Sequence, residues 1–157
     1  MSTPETQRRL VLHGSMVLLV GVFCGIPSVV EVSTGSSRMW QGAHAALLLL
    51  GVWLLATAAV LPLLLLEARE AAGLRWSLLV MAYSFMVAVI VQALTGVRAL
   101  GPDPSPLNML AFAANLLAVL GTFLSASLTA LGAWNALRAS RRSPVVTAVL
   151  EPAETRR

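Results

Sequence analysis

The stretch Trp40-Gln41-Gly42-Ala43-His44 opens an apolar run that continues to Leu66 without an Asp, Glu, Lys or Arg. About 20 apolar residues in a helix cross a hydrocarbon core of ~30 Å, so residues 43–66 read as a membrane span. His44 puts an imidazole at the mouth of that span, where an ionisable group is costly unless it has a partner or a task. Working outward, three further runs of the same kind stand at residues 10–30, 76–94 and 107–137. The expected fold is all-α: an integral membrane four-helix bundle over residues 10–137.

Composition agrees. Of 157 residues, 57% are hydrophobic and 11% charged, whereas a soluble domain is about 25% charged. Mean hydropathy is +0.81. The charges gather in short clusters, which means spans rather than a greasy soluble core. A polar segment, residues 1–9, precedes the bundle. An Arg-rich tail, residues 138–157, follows it and is expected to be disordered. The net charge is +4 and every basic residue is Arg. Because the arginines sit at span ends and in the tail, they report membrane orientation and not nucleic-acid binding. Cys24, the single cysteine, makes no internal disulfide and reads as a small packing residue.

The run 10–30 is too long for a signal-peptide apolar region and reads as a retained span. Gly21 and Gly25, four apart, leave one face open to a close neighbour. Pro27 is expected to kink or end this helix. Residues 31–41 read as a loop, 67–75 as a charged hairpin, and 96–106 as a second loop around Gly101-Pro102-Asp103-Pro104. Pro62 interrupts the second span, which lipid tolerates where neighbours satisfy the freed carbonyl. Seven arginines (Arg8, Arg9, Arg69, Arg75, Arg138, Arg141 and Arg142) fall on one side of a four-span topology, against Arg38 and Arg98 on the other. The positive-inside rule therefore puts both termini in the cytoplasm. Trp40, Trp76 and Trp134 fall near span ends, where interfacial indoles belong.

Orientation turns sequence position into depth. His44, Gln92, Asn115 and Glu31 share the outer layer and are expected to line one cavity. His13 shares the inner layer with Tyr83 and Asn135. The two histidines thus lie near opposite ends of the bundle and are poor partners for one cofactor. Each group also has a plainer reading: His44 as an interfacial histidine bonded to a loop carbonyl, Gln92 and Asn115 as helix-to-helix hydrogen bonds, Tyr83 as a packed ring. There is no phosphate-cradling loop, no HExxH and no serine-nucleophile elbow. No span carries a carboxylate in its middle third, which disfavours an ion pathway. The residues alone leave open a cofactor-binding protein and a cofactor-free structural subunit.

The chain resembles the styrene oxide isomerase family of small four-span membrane proteins. The matching features are His13-Gly14 in the first span, Trp40 with Ala43-His44 in the second, Val60-Leu61-Pro62 near its end, and Ala136-Leu137-Arg138-Ala139-Ser140 closing the fourth. The likeness covers roughly residues 10 to 140. It implies a homotrimer of four-helix bundles in a bacterial cytoplasmic membrane, with haem b at the subunit interfaces and His44 as the axial iron ligand. Leu50 and Gly51 would then lie along the cofactor. Ferric iron would act as a Lewis acid on a lipophilic epoxide, which isomerises to a carbonyl compound. Gln92, Asn115 and Tyr83 are the candidate catalytic groups.

The departures fall on the substrate-orienting residues. Leu50 stands where the family's enzymes carry an asparagine six residues after the ligand histidine. Met81 and Val89 stand where they carry an aspartate and a tyrosine, with Tyr83 and Gln92 nearby but not equivalent. The resemblance therefore also admits a haem protein without catalysis, serving redox, sensing or assembly.

Overall fold

Inside a bilayer no water serves the backbone N–H and C=O groups, so a spanning chain satisfies them within helices. The computed structural model describes residues 3–30, 35–96, 98, 101–102 and 104–142. Four helices account for nearly all of them: α1 (Thr3–Val30), α2 (Gly35–Val60), α3 (Ala68–Thr95) and α4 (Pro106–Arg142), with no strand among the described residues. All four are long and apolar enough to cross a membrane. The protein is an all-helical multi-pass membrane protein.

The helix ends differ from the sequence expectation in ways that local chemistry explains. α1 runs through Pro27 to Val30 instead of ending there. The proline removes one helical hydrogen bond, and next to it the Ser28 hydroxyl donates to the Gly25 carbonyl at 2.6 Å. α2 starts at Gly35, so residues 35–41 are helix where a loop was expected. Glu31 lies outside the described residues. His44 consequently sits nine residues past the helix start, about 13 Å along its axis at ~1.5 Å per residue, and not at its mouth. α3 begins at Ala68 with Glu67 as N-cap. The Glu67 N–H donates to Glu70 Oε2 at 2.8 Å, half of a capping box, which draws most of the expected hairpin into the helix. Gly96, at φ +69°, closes α3 with its N–H on the Gln92 carbonyl, the usual left-handed stop. α4 continues to Arg142, into the stretch expected as tail. Residues 143–157 lie outside the described set.

The helices form two antiparallel pairs. α1 packs along α2 and α3 along α4, while α2 against α3 joins the pairs and α1 meets α3 only briefly. Leu10, Val17, Leu47, Leu54, Leu74 and Leu78 are fully buried where these helices meet. Leu12, Phe23, Leu49, Leu120 and Phe123 are exposed on the outside, an apolar surface suited to lipid.

The α2–α3 connection is apolar but not helical. After a 3-10 turn over Leu61–Leu63 the chain is extended at Leu64. The Leu65 N–H donates to the Gly132 carbonyl of α4 at 3.1 Å, and Asn135 Nδ2 donates to the Leu65 carbonyl at 3.4 Å. A Cβ on Gly132 would lie 2.9 Å from the Leu66 side chain and 3.0 Å from the Leu64 Cβ, so a larger residue would have to push these side chains aside.

Candidate functional site

The α1–α2 contact is set by small residues. A Cβ on Gly21 would stand 3.1 Å from the Leu47 Cβ, and one on Gly25 would stand 2.9 Å from His44 Nδ1. These glycines let the His44 ring come close to the α1 backbone. There His44 Nδ1 is 2.8 Å from the Gly21 carbonyl oxygen. A carbonyl only accepts, so Nδ1 carries the proton and donates it, and in the neutral ring the lone pair is on Nε2. The partner anticipated from sequence was a loop carbonyl. The one found belongs to a helix in the span, and its second lone pair makes the extra bond possible.

On the other side of α2, roughly half a turn round at about 3.6 residues per turn, lies a cavity of about 380 Å³. It opens between α2 and α4 over α3, because α4 packs on α3 and barely touches α2. Ala46, Leu50 and Trp53 line it from α2, Met81 and Phe85 from α3, and Asn115 and Thr122 from α4, among others. Thr122 donates to its own helix at Ala118, and Asn115 is the one amide side chain among the lining residues. The volume lies in the ~300–1,000 Å³ range of small-molecule sites.

The sequence-predicted residues separate accordingly. Leu50 and Asn115 share the groove with Met81. His44 lies on the α1 side. Gly51 also faces α1, where an added Cβ would stand 2.9 Å from the Gly14 carbonyl. Gln92 is half-buried near the end of α3, with its carbonyl engaged by Gly96. Val89 packs against the buried core. Tyr83 is at the opposite end, its hydroxyl 2.7 Å from His13 Nδ1 and the two rings edge-to-face at 5.7 Å. His44 and Asn115 each sit nine residues after the start of their helices, but on different surfaces. Trp53, Phe85 and Thr122 were not anticipated as lining residues, since a groove between α2 and α4 leaves no periodic mark in either helix.

Among the described residues no group of three or more His, Cys, Asp or Glu is placed for a metal ion, so the candidate ligand is a lone imidazole. His44 fits that task. Ligating histidines commonly donate the other ring N–H to a carbonyl, which fixes the tautomer and orients the ring. His13 is less committed, because a phenol can donate or accept and leaves its tautomer open.

The class is thus a four-span helical membrane protein with one pre-oriented imidazole and one apolar groove on opposite faces of the same helix. A model of the styrene oxide isomerase family matches residues 6–134. No curated protein and no solved structure matches. The chain belongs to the styrene oxide isomerase family.

Proposed function

We propose that this is a haem b membrane protein that isomerises a lipophilic epoxide to a carbonyl compound, with His44 as the axial ligand. The observation that carries the reading is the hydrogen bond from His44 Nδ1 to the Gly21 carbonyl, which leaves Nε2 free of its proton and suited to iron. Gly25 supports it by leaving room for the ring. When bound, ferric haem would supply a Lewis acid for the epoxide oxygen. The isomerisation needs no outside oxidant or reductant: one C–O bond breaks, a hydride moves with its electron pair to the neighbouring carbon, and the oxygen ends as a carbonyl.

The chain's own part is to hold the substrate and keep water away from the carbon left electron-deficient. Leu50, Trp53, Met81 and Phe85 make such a surface, with the Asn115 amide among the lining groups. Because His44 and the groove lie on opposite sides of α2, one copy does not bring them together. A neighbouring copy would have to supply the other half of the site, and a head-to-tail contact that closes is how cyclic oligomers form. The homotrimer implied by the family fits this need. The arginine distribution supports cytoplasmic termini in a bacterial cytoplasmic membrane.

A second reading has a specific observation behind it. Leu50 lines the groove in place of the family's asparagine, and nothing else there replaces a positioned amide on α2. This favours a haem protein without isomerase activity. One preparation separates the readings. Detergent-purified protein should show a Soret band that His44→Ala removes, and should convert a terminal aryl epoxide to the aldehyde. A colourless, iron-free protein sinks both readings. Haem-loaded protein inert towards aryl and alkyl epoxides leaves the second.

A further inference from the structure

A second cavity, of about 550 Å³, lies between α1 and α3 at the end of the bundle where α1 begins. The two helices meet only briefly, which leaves room between them. His13 from α1 and Tyr83 and Ser84 from α3 make its polar end, and Leu79 and Val80 line its wall. On α3, residues 76, 80, 83 and 84 form one stripe at helical spacing. Trp76 and Val80 on that stripe are exposed, so the cavity opens sideways, towards lipid.

The polar end has hydrogens to give. His13 Nδ1 and the Tyr83 hydroxyl are 2.7 Å apart. A neutral imidazole and a phenol bring two donor hydrogens between them, and their mutual bond uses one. If Tyr83 donates, His13 Nε2 keeps its hydrogen; if His13 donates, Tyr83 keeps its own. Either way one donor is left over on one member and one acceptor on the other. A change of tautomer exchanges these roles. Ser84 adds a second donor. Ser77 turns its hydroxyl back onto its own helix at Leu74, whereas among the described residues Ser84 makes no such bond.

The charges near the start of α3 do not ask for an anion. Arg9 holds Glu5 at 2.8 Å. Arg75 is engaged as well, with its guanidinium 5.3 Å from the centre of the Trp76 ring among its contacts. A neutral ligand suits this cavity, with its polar part at the His13–Tyr83–Ser84 end.

We infer that the cavity takes the headgroup of a lipid-soluble quinone. A quinone is neutral and flat, and it carries two carbonyl acceptors on opposite edges of one ring, which match donors supplied from two helices. Its reduced form, a quinol, presents hydroxyl donors in their place, and the His13–Tyr83 pair meets these with its acceptor. The ring lies against Leu79 and Val80, and the alkyl tail leaves past Val80 into the bilayer. The volume lies in the ~300–1,000 Å³ range of small-molecule sites. This seat is distinct from the His44 cradle and the α2–α4 groove, and it does not depend on haem.

The test uses full-length protein in neutral detergent, with decylubiquinone as the probe and dodecanol as a tail-only control. Affinity is read by isothermal titration calorimetry, and retained quinone is counted by native mass spectrometry. Decylubiquinone should saturate at one per chain, and dodecanol should not displace it. Ser84→Ala should raise Kd about fivefold, the loss of one hydrogen bond. The His13→Leu/Tyr83→Phe double variant should raise it further. Val80→Trp obstructs the open flank from an exposed position and should abolish retention with every polar group intact, which decides the matter should the double variant fold poorly. Val119→Trp, which narrows the α2–α4 groove instead, should leave binding unchanged. Binding that does not saturate overturns the proposal, as does full displacement by dodecanol. So do an affinity that survives in both the His13/Tyr83 and Val80 variants, and a loss confined to Val119→Trp, which would put the quinone in the groove.

Discussion

His44 and His13 invite comparison. Both rings lie half-buried within a span, and both use Nδ1 in a short hydrogen bond to another helix. The difference is in the partner. Gly21 offers a carbonyl, which can only accept, so the neutral His44 ring is held in one tautomer with its lone pair on Nε2. Tyr83 offers a hydroxyl, which can give or take, so His13 carries no such commitment. A metal site needs the first kind of histidine, and a helix-to-helix tie can use either. The backbone atom opposite a ring therefore says more about its task than the ring's depth in the membrane does.

The largest effect expected from this comparison is at the rings themselves. His44→Ala should abolish the Soret band and any epoxide turnover, while His13→Ala should keep the Soret band in an absorbance spectrum of the purified protein; equal loss in both would break the distinction. Gly25→Ala comes next. The added methyl would stand 2.9 Å from His44 Nδ1 and should turn the ring off its carbonyl. Haem affinity by titration should fall roughly 10- to 100-fold, the usual cost of disturbing a ligand's orienting partner. Leu50→Asn restores an amide to the groove without touching His44. If the groove receives the substrate, aryl epoxide turnover should rise roughly tenfold, equivalent to about 1.4 kcal/mol in the barrier, with the spectrum unchanged. An unchanged rate would move the substrate site away from the groove. The smallest effect belongs to Tyr83→Phe. It removes one interhelical hydrogen bond, worth about 0.6 kcal/mol in a membrane. A slightly lower melting temperature and an intact Soret band should result.

The span count was legible in the sequence because four long uncharged runs admit few other readings. The helix ends were less so. Residues 31–41 were read as a loop, yet small polar residues such as Ser36 and Ser37 also suit the first turn of a helix, and α2 begins at Gly35. Glu67 and Glu70 were taken as part of a charged hairpin, when their three-residue spacing is that of the capping box found there. At the site, the Gly21–Gly25 spacing pointed to a close helix contact, and His44 to a ligand. That the two meet could not be read, because the register of α1 against α2 is set by packing along the whole pair. The expected gathering of His44, Gln92 and Asn115 rested on depth alone. Depth says nothing about which side of a helix a residue occupies, and the structure places His44 and Asn115 on different sides of α2.

The extended segment between α2 and α3 bears on how the protein is made. Leu65 meets both its N–H and its C=O needs on α4, at Gly132 and Asn135. Until the last helix has left the ribosome and entered the bilayer, that peptide has only water or lipid headgroups to turn to. The first three helices can insert in order, but their middle connection cannot settle in apolar surroundings before the fourth arrives. The Leu65 peptide thus gains both of its helix-to-helix hydrogen bonds only once α4 is packed beside it.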